Sequence, residues 1–249
     1  MSSVFSSGNL QTALTFPFKD KKWGSKFAIA GLFVLLSPII PLVPVLLLLG
    51  YAARVMRRIT NEDGQPALPE WNDWEKLLTD GLRLLGINII YMIPGIVILF
   101  IGYLVMLIPA LSGAIRSSRM SWLPLGILAW IWFFMGLGGL YLLAAQFAVG
   151  AIQVHVIAKQ RFGAGFEFND WWRLLRANFG GFVLAFVIVM GLTQLLAGAV
   201  ALTWLTICLI CLVPFLAIVV GIYIQLVSAA LYALAYREAA DKLSPTAQG

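Results

Sequence analysis

The stretch FGGFVLAFVIVMGLTQLLAGAVA, residues 179–201, decides the fold class of this 249-residue chain, because it is apolar throughout and contains no charged side chain. An α-helix needs about 20 apolar residues to cross the hydrocarbon core of a bilayer, so this stretch predicts a membrane-spanning helix. Four further segments are comparably apolar. The five segments lie at residues 27–53, 86–111, 122–158, 179–201 and 203–236. The sequence therefore predicts an all-α, multi-pass membrane helix bundle.

The overall composition supports a membrane protein. Hydrophobic residues make up 61% of the chain and charged residues 11%, whereas soluble domains carry about a quarter charged residues. The net charge is +6, but the basic residues flank the apolar segments and do not form a separate polar domain. This placement is typical of basic residues retained in the cytoplasm. We therefore expect the lipid bilayer, and not nucleic acid, as the main partner.

The first apolar segment is interrupted by Pro38, Pro41 and Pro44. Each proline removes a helical N–H donor and clashes with the preceding turn, so a continuous straight helix is disfavoured. One kinked spanning helix is an alternative. The other is a re-entrant hairpin, whose first arm from Lys26 to Ser37 would be about 17 Å long. That length is roughly half of a ~30 Å hydrocarbon core and suits a re-entrant arm.

The distribution of basic residues separates these alternatives. A re-entrant hairpin places 15 of the 17 Lys and Arg residues on one side of the membrane, whereas a spanning segment divides them 11 to 6. The positive-inside rule favours the hairpin. We predict one re-entrant hairpin and four spanning helices in the cytoplasmic membrane, with both termini in the cytoplasm. The predicted organisation is an interfacial N-terminus (1–26), one membrane domain (27–236) and a cytoplasmic tail (237–249).

Two stretches of the chain repeat each other. EWNDWEKLL at 70–78 and EFNDWWRLL at 167–175 share an acid, an aromatic residue, Asn-Asp, Trp, a base and Leu-Leu. Such self-similarity indicates duplication, here into repeat-like units at about 50–111 and 147–203. Each copy predicts an interfacial amphipathic helix that lies on the cytoplasmic leaflet before the chain turns into the membrane. The residues assigned to this interfacial repeat are Trp71, Asn72, Asp73, Trp74, Asn169, Asp170 and Trp171.

The first copy also predicts how its helix begins and which face is apolar. Asn72 is the expected N-cap, with Glu75 in the capping-box position. Helical spacing places one apolar stripe against a polar face that contains Asp80 and Arg83. The stripe consists of Trp74, Leu77, Leu78, Gly81, Leu82 and Leu85. This surface is either a docking or lipid-sensing surface or a simple anchor.

The repeat and the hairpin occur together with other motifs. These are FPFKD at 16–20, Trp23, Lys26, Gly50-Tyr51 and LPEWNDW at 68–74. With them the chain resembles a prokaryotic family of integral membrane proteins that is catalogued only as a domain of unknown function. The resemblance covers about residues 14–236. It implies a bacterial or archaeal membrane, assigns no activity and carries over no catalytic residues.

The sequence contains few residues for chemistry at depth. No predicted apolar segment contains Asp, Glu, Lys or Arg, although coupled transporters and proton pumps usually require such groups there. His155 is predicted to have no carboxylate or thiol nearby and so not to bind a metal. Cys208 and Cys211 lie in an apolar run and are predicted to be inert packing residues. We therefore expect a non-enzymatic protein without a cofactor, a metal or catalytic residues.

The polar side chains expected at depth are mostly amides. Gln146 and Gln153 lie seven residues apart and share a helix face, and Gln194 and Gln225 lie on other segments. Such groups either join helices, at about 0.6 kcal/mol each, or line a polar pathway. Glycines at 136–139 and 198 are expected to permit close helix approach. The leading hypothesis is a scaffold or accessory subunit that organises the bilayer, with protein partners or as a homo-oligomer. The alternative is a facilitator of a small or lipid-like solute.

Overall fold

The computed structural model describes residues 7–62, 64–111, 123–203 and 213–244, and within these ranges the chain is helical, with turns and without strands. A 3-10 helix at Phe162–Phe166 precedes the sixth α-helix. The α-helices are α1 (Ser7–Lys19), α2 (Trp23–Leu36), α3 (Leu42–Asn61), α4 (Trp74–Leu111), α5 (Leu123–Lys159), α6 (Phe168–Ala177), α7 (Phe179–Thr203) and α8 (Val213–Leu243). The predicted all-α class is confirmed.

Four of the described helices are long and apolar enough to cross a bilayer. They are Trp74–Val105, Leu125–Lys159, Phe179–Leu202 and Phe215–Leu243. The count agrees with the predicted four spanning helices, and the chain is a multi-pass helical membrane protein. Helix α2 is apolar but has only 14 residues, which is fewer than the ~20 needed to cross the hydrocarbon core.

The proline-rich stretch breaks the first apolar segment into two helices. Helix α2 ends at Leu36, residues 37–41 form a turn, and α3 begins at Leu42 and packs back against α2. Pro38 and Pro41 are exposed in this turn. Pro44 lies in the first turn of α3, where no helical bond depends on its missing N–H. The predicted interruption and hairpin shape are thus present, whereas the depth of the hairpin in a bilayer stays a prediction.

The described chain forms two compact units, of which the first comprises residues 1–87 and 150–249. Helix α8 is its central element and packs against α1, α2, α3, α6 and α7. The buried residues of α8 include Leu231 and several alanines, whose small side chains permit this many neighbours. The Tyr223 hydroxyl of α8 also donates a hydrogen bond to the Leu14 carbonyl of α1, at 3.0 Å.

Two glycines of the first unit permit α3 and α4 to cross at backbone contact. A Cβ atom built on Gly50 would lie 1.9 Å from the Leu77 carbonyl oxygen, and one on Gly81 would lie 1.9 Å from the Leu46 carbonyl oxygen. The two contacts are reciprocal, because each glycine faces a backbone carbonyl four residues before the other glycine. Small residues at helix crossings in membranes permit this kind of close approach.

The second unit, residues 88–149, contains parts of α4 and α5. A Cβ on Gly95 would lie 2.5 Å from Leu142 Cδ2, and one on Gly102 would lie 2.5 Å from Phe134 Cβ. In this unit α4 and α5 therefore also pack closely at glycines.

The two repeat copies differ in local structure. In the first copy the expected interfacial helix is not a separate element, because α4 runs without a break from Trp74 to Leu111. In the second copy α6 is a separate helix that ends at Ala177, followed by Asn178 and then α7. The predicted N-cap is also wrong by one residue. Helix α4 begins at Trp74, and the Leu77 N–H donates to the carbonyl of Asp73, whose φ of 55° is positive.

The predicted apolar stripe of the first copy is rotated relative to the buried face. Asp80 is 2% exposed and Arg57 of α3 is 6% exposed, and their side chains form an ion pair, whereas Leu82 is 58% exposed. Arg83 completes the group, because its Nη1 lies 2.9 Å from Asp80 Oδ1. The buried face of this part of α4 includes Leu77, Asp80, Gly81 and Leu84, of which the first three contact α3. The assignment of Asp80 to an exposed polar face was therefore wrong.

Candidate functional site

A buried ammonium group occupies the base of the helical hairpin. Lys26 of α2 is 5% exposed, and its Nζ lies 2.7 Å from Asp20 Oδ2, 3.0 Å from the Leu68 carbonyl oxygen and 3.1 Å from Glu70 Oε1. Three oxygen acceptors offset the cost of burying this charge. The hydrogen bond from Lys26 holds the pKa of the Asp20 carboxyl below its ordinary value. We call Asp20, Lys26, Tyr51, Arg54, Glu70 and Trp71 the lysine cluster.

Two stacked aromatic side chains lie beside the buried lysine. The Tyr51 and Trp71 rings stack with centroids 4.1 Å apart and an angle of 10° between their planes. The Tyr51 hydroxyl donates to the Pro69 carbonyl at 2.8 Å, and Trp71 Nε1 donates to the Lys26 carbonyl at 3.2 Å. The polar tips of both rings thus have a hydrogen-bonding partner, as Tyr and Trp usually require when they are withdrawn from water.

Arg54 of α3 fixes the loop that precedes α4. Its Nη1 donates to the Glu70 carbonyl at 3.0 Å and to the Asn72 carbonyl at 2.9 Å, and Nη2 lies 3.6 Å from the Asp73 carboxylate. The lysine cluster therefore joins α2, α3 and this loop. Because its polar groups bond to one another, the cluster holds the two ends of the hairpin together.

The second repeat copy contributes to a different group, the histidine cluster, which consists of His155, Lys159, Glu167, Asp170 and Tyr236. His155 is 1% exposed, and its Nδ1 lies 2.9 Å from the Tyr236 hydroxyl. Its Nε2 lies 3.7 Å from Glu167 Oε2. The Lys159 ammonium lies 2.5 Å from both Glu167 Oε2 and Asp170 Oδ2. Hydrogen bonds from Lys159 hold the pKa values of the Glu167 and Asp170 carboxyls below their ordinary values.

The expectation that His155 has no carboxylate nearby was wrong. The 3-10 helix Phe162–Phe166 reverses the chain after α5, and this brings Glu167 and Asp170 back to the end of the helix that carries His155. The available signal was the acid that begins the second repeat, which follows His155 after a Gly-Ala-Gly loop. An open cavity of about 370 Å³ adjoins the cluster and is lined by His155, Lys159, Asp170, Arg173 and Tyr236 among others.

The predicted interfacial residues do not form one surface. Trp71, Asn72 and Asp73 belong to the loop that the lysine cluster holds, and Trp74, 46% exposed, begins α4. Asp170 belongs to the histidine cluster. The structure places Asn169 on the surface and buries Trp171.

Most of the glutamines that were predicted to form a polar face are exposed on the surface of the protein. Gln146, Gln194 and Gln225 are exposed and Gln153 is half-buried. None of the four has a side-chain hydrogen bond within the described ranges. Gln225 lines an apolar cavity of about 270 Å³ between α2, α3 and α8, which Tyr51 also lines. Cys208 and Cys211 lie outside the described residues.

Comparison with known protein families gives a match over most of the chain. The model of a family described as "Protein of unknown function (DUF4013)" matches residues 33–211. No curated protein and no solved structure matches the chain. The match includes the hairpin turn, Gly50-Tyr51 and both repeat copies but begins after Lys26, so it is shorter than the resemblance noted from the motifs. Because it covers well over half of the residues, the chain belongs to the DUF4013 family.

Proposed function

We propose that this protein is a non-enzymatic membrane scaffold, either an accessory subunit or a protein that organises the bilayer, in which the hairpin acts as a wedge in one leaflet. The observation that carries the proposal is the contrast between the two ends of the hairpin. Its turn is apolar and exposed, whereas its base is held by the ion pairs of the lysine cluster.

The tip of the hairpin has the surface of a membrane-inserted element. Ile39 is 77% exposed, Leu42 57% and Leu35 51%. Contiguous exposed apolar side chains mark a surface that lipid or another protein covers. Because Lys26 and Arg54 fix the base, the hairpin enters its surroundings as a rigid body and displaces lipid over a defined area.

The spanning helices also support a scaffold with partners. We compare how much of the most apolar window of each spanning helix is buried by this chain. The buried share is 6% in Leu125–Lys159 and 6% in Phe179–Leu202, whereas it is 39% in Phe215–Leu243. The exposed face of α7 carries Gln194. An amide on such a face gains a hydrogen-bonding partner when another helix covers it. This supports a partner subunit or a second copy of the chain.

The re-entrant topology predicts that both ends of the hairpin lie on the same side of the membrane. Lys21 and Glu62 are exposed at these two ends. In a background with Cys208 and Cys211 replaced by alanine, Lys21→Cys and Glu62→Cys should react with an impermeant maleimide from the same side of oriented vesicles. Labelling from opposite sides would contradict the hairpin and favour a spanning first segment.

The wedge itself is tested by its effect on curvature. When the protein is reconstituted at increasing protein-to-lipid ratio, the vesicle diameter measured by electron cryomicroscopy should decrease. The double variant Ile39→Ser, Leu42→Ser should leave vesicle size close to that of protein-free lipid, because both side chains are exposed and their replacement costs no core packing. The matched control Leu82→Ser, Ile89→Ser changes two apolar residues of α4 that are also more than half or about half exposed and should narrow vesicles as the wild type does. If tip and control variants narrow vesicles as the wild type does, the wedge is refuted.

One observation favours the alternative, a facilitator of a lipid-like solute. The apolar cavity between α2, α3 and α8 has a single glutamine, Gln225, in its wall, and binding cavities commonly combine an apolar lining with few polar groups. The same vesicles can be assayed for lipid scrambling. If the wild type scrambles lipid and Gln225→Leu abolishes this activity, the result supports the facilitator and not the wedge.

A further inference from the structure

We propose that His155, Glu167 and Asp170 bind a divalent transition-metal cation, with Zn²⁺ as the reference ion, in exchange for the Lys159 ammonium. The proposal is separate from the scaffold function, because it concerns the histidine cluster and not the hairpin. Imidazole nitrogen and carboxylate oxygen are both common zinc ligands.

The three donor groups already converge. One donor atom from each of His155, Glu167 and Asp170 lies within 4.8 Å of the others, and the His155 Nε2 to Glu167 Oε2 distance is 3.7 Å. Zinc–ligand bonds of about 2.0–2.2 Å place tetrahedral neighbours roughly 3.4 Å apart. The histidine and the glutamate therefore need to move by only a few tenths of an ångström, and the exposed Asp170 side chain is free to adjust its rotamer.

The histidine supplies an independent indication of a ligand. His155 is 1% exposed, and its Nε2 has no hydrogen-bond partner within the described residues, although it lies 3.7 Å from Glu167 Oε2 beside the group of donor atoms that includes Asp170. The other ring nitrogen is held at 2.9 Å by the Tyr236 hydroxyl. A metal-bound histidine is usually oriented in this way by a partner on its second nitrogen. The ring is therefore already in the orientation that a cation at Nε2 requires.

Lys159 occupies the position where the cation would neutralise the carboxylates. Its Nζ lies 2.5 Å from oxygens of both Glu167 and Asp170. The side chain is one-third exposed and borders the open cavity of about 370 Å³, so it can move into solvent. A dication would then replace a single positive charge between two carboxylates, and water from the cavity would complete the coordination. Lys159 is thus a competitor of the metal.

The competition is tested on the full-length protein, purified in detergent without a polyhistidine tag. Zn²⁺ titrated by calorimetry should bind one site per chain, and Lys159→Met should bind at least tenfold more tightly than the wild type. Co²⁺ bound to Lys159→Met should show the visible absorption of a site of low coordination number. Absence of saturable one-site binding to Lys159→Met would overturn the proposal.

The ligands are tested in the Lys159→Met background. His155→Gln and Asp170→Asn should each weaken Zn²⁺ binding at least tenfold. Asp170 is exposed, so its variant is not expected to disturb folding if the buried His155 variant does. Asp241→Asn, which changes an exposed carboxylate outside the cluster, should bind Zn²⁺ unchanged. Equal affinity in Asp170→Asn and Asp241→Asn would refute the assigned ligands.

Discussion

Gly81→Leu is expected to force α3 and α4 apart and to lower the free energy of unfolding by about 3 kcal/mol or more. The first added atom would lie 1.9 Å from the Leu46 carbonyl oxygen, which belongs to helical backbone and cannot rotate away. Thermal unfolding in detergent, followed by circular dichroism, measures the loss. Gly50→Leu should have an effect of the same size, because the contact is reciprocal.

Gly198→Leu is the matched control for this prediction. Among the described residues, no atom lies within 4 Å of a Cβ built on Gly198 of α7, so the added side chain would occupy open space beside an apolar helix. The midpoint of Gly198→Leu should stay close to that of the wild type. Equal midpoints for the Gly81 and Gly198 variants would show that the crossing of α3 and α4 contributes little to stability.

Asp80→Asn is expected to be nearly as damaging, because it leaves a buried cation without its counter-charge. Arg57 and Asp80 are 6% and 2% exposed and form an ion pair. Removal of one member of a buried pair typically costs about 3–5 kcal/mol, whereas replacement of both members by apolar residues is often neutral. The double variant Arg57→Met, Asp80→Leu should therefore recover most of the stability that Asp80→Asn loses.

A second variant serves as the control for loss of a carboxylate charge in the same unfolding assay. Glu75→Gln changes an exposed carboxylate in the first turn of α4 and should shift the midpoint little. Arg83 does not rescue Asp80→Asn, since its guanidinium would lie beside Arg57 without the carboxylate between them. A midpoint for Asp80→Asn equal to that of Glu75→Gln would show that Arg57 finds another partner.

The number of spanning helices and the position of the hairpin turn followed from local sequence. Apolar length and proline content act within one segment, so they need no knowledge of neighbours. The buried face of α4 did not follow. Leu77 and Leu82 were assigned to the same interfacial apolar stripe and Asp80 to the opposite face, but Leu77 and Asp80 are both buried, whereas Leu82 is exposed. Lipid is as apolar as a leucine side chain, so in a membrane helix hydrophobicity does not distinguish the packed face from the lipid face.

The glycines at close helix contacts were also not predictable from the sequence. Those at 136–139 and 198 were expected to mark close helix contacts. Among the described residues, however, a Cβ built on Gly136, Gly139 or Gly198 has no atom within 4 Å, whereas one on Gly138 would lie against Leu99. A crossing at backbone contact is instead formed by Gly50 and Gly81, for which no close helix contact was predicted. A contact between helices depends on two faces at once, and one sequence shows each face alone.

The two polar clusters were predictable to different degrees. The motifs that carried the family resemblance contain Asp20, Lys26, Tyr51 and Trp71, and these residues do meet in the structure. Lys26, however, was counted as a cation that flanks a membrane segment and is in fact buried. The histidine cluster was missed, since a 3-10 helix that reverses the chain has no strong sequence pattern.

The central position of α8 has a consequence for how the chain is made. The hairpin leaves the ribosome before α8, the helix against which α2 and α3 pack, because α8 begins only at Val213, some 150 residues after α3 ends. At about 5–20 residues per second this interval is roughly 8–30 s. During that time the apolar tip and the charged base of the hairpin are both made while their last packing partner does not yet exist. Lipid or the insertion machinery must therefore protect the nascent hairpin until α8 has been made, although the folded protein no longer needs this protection.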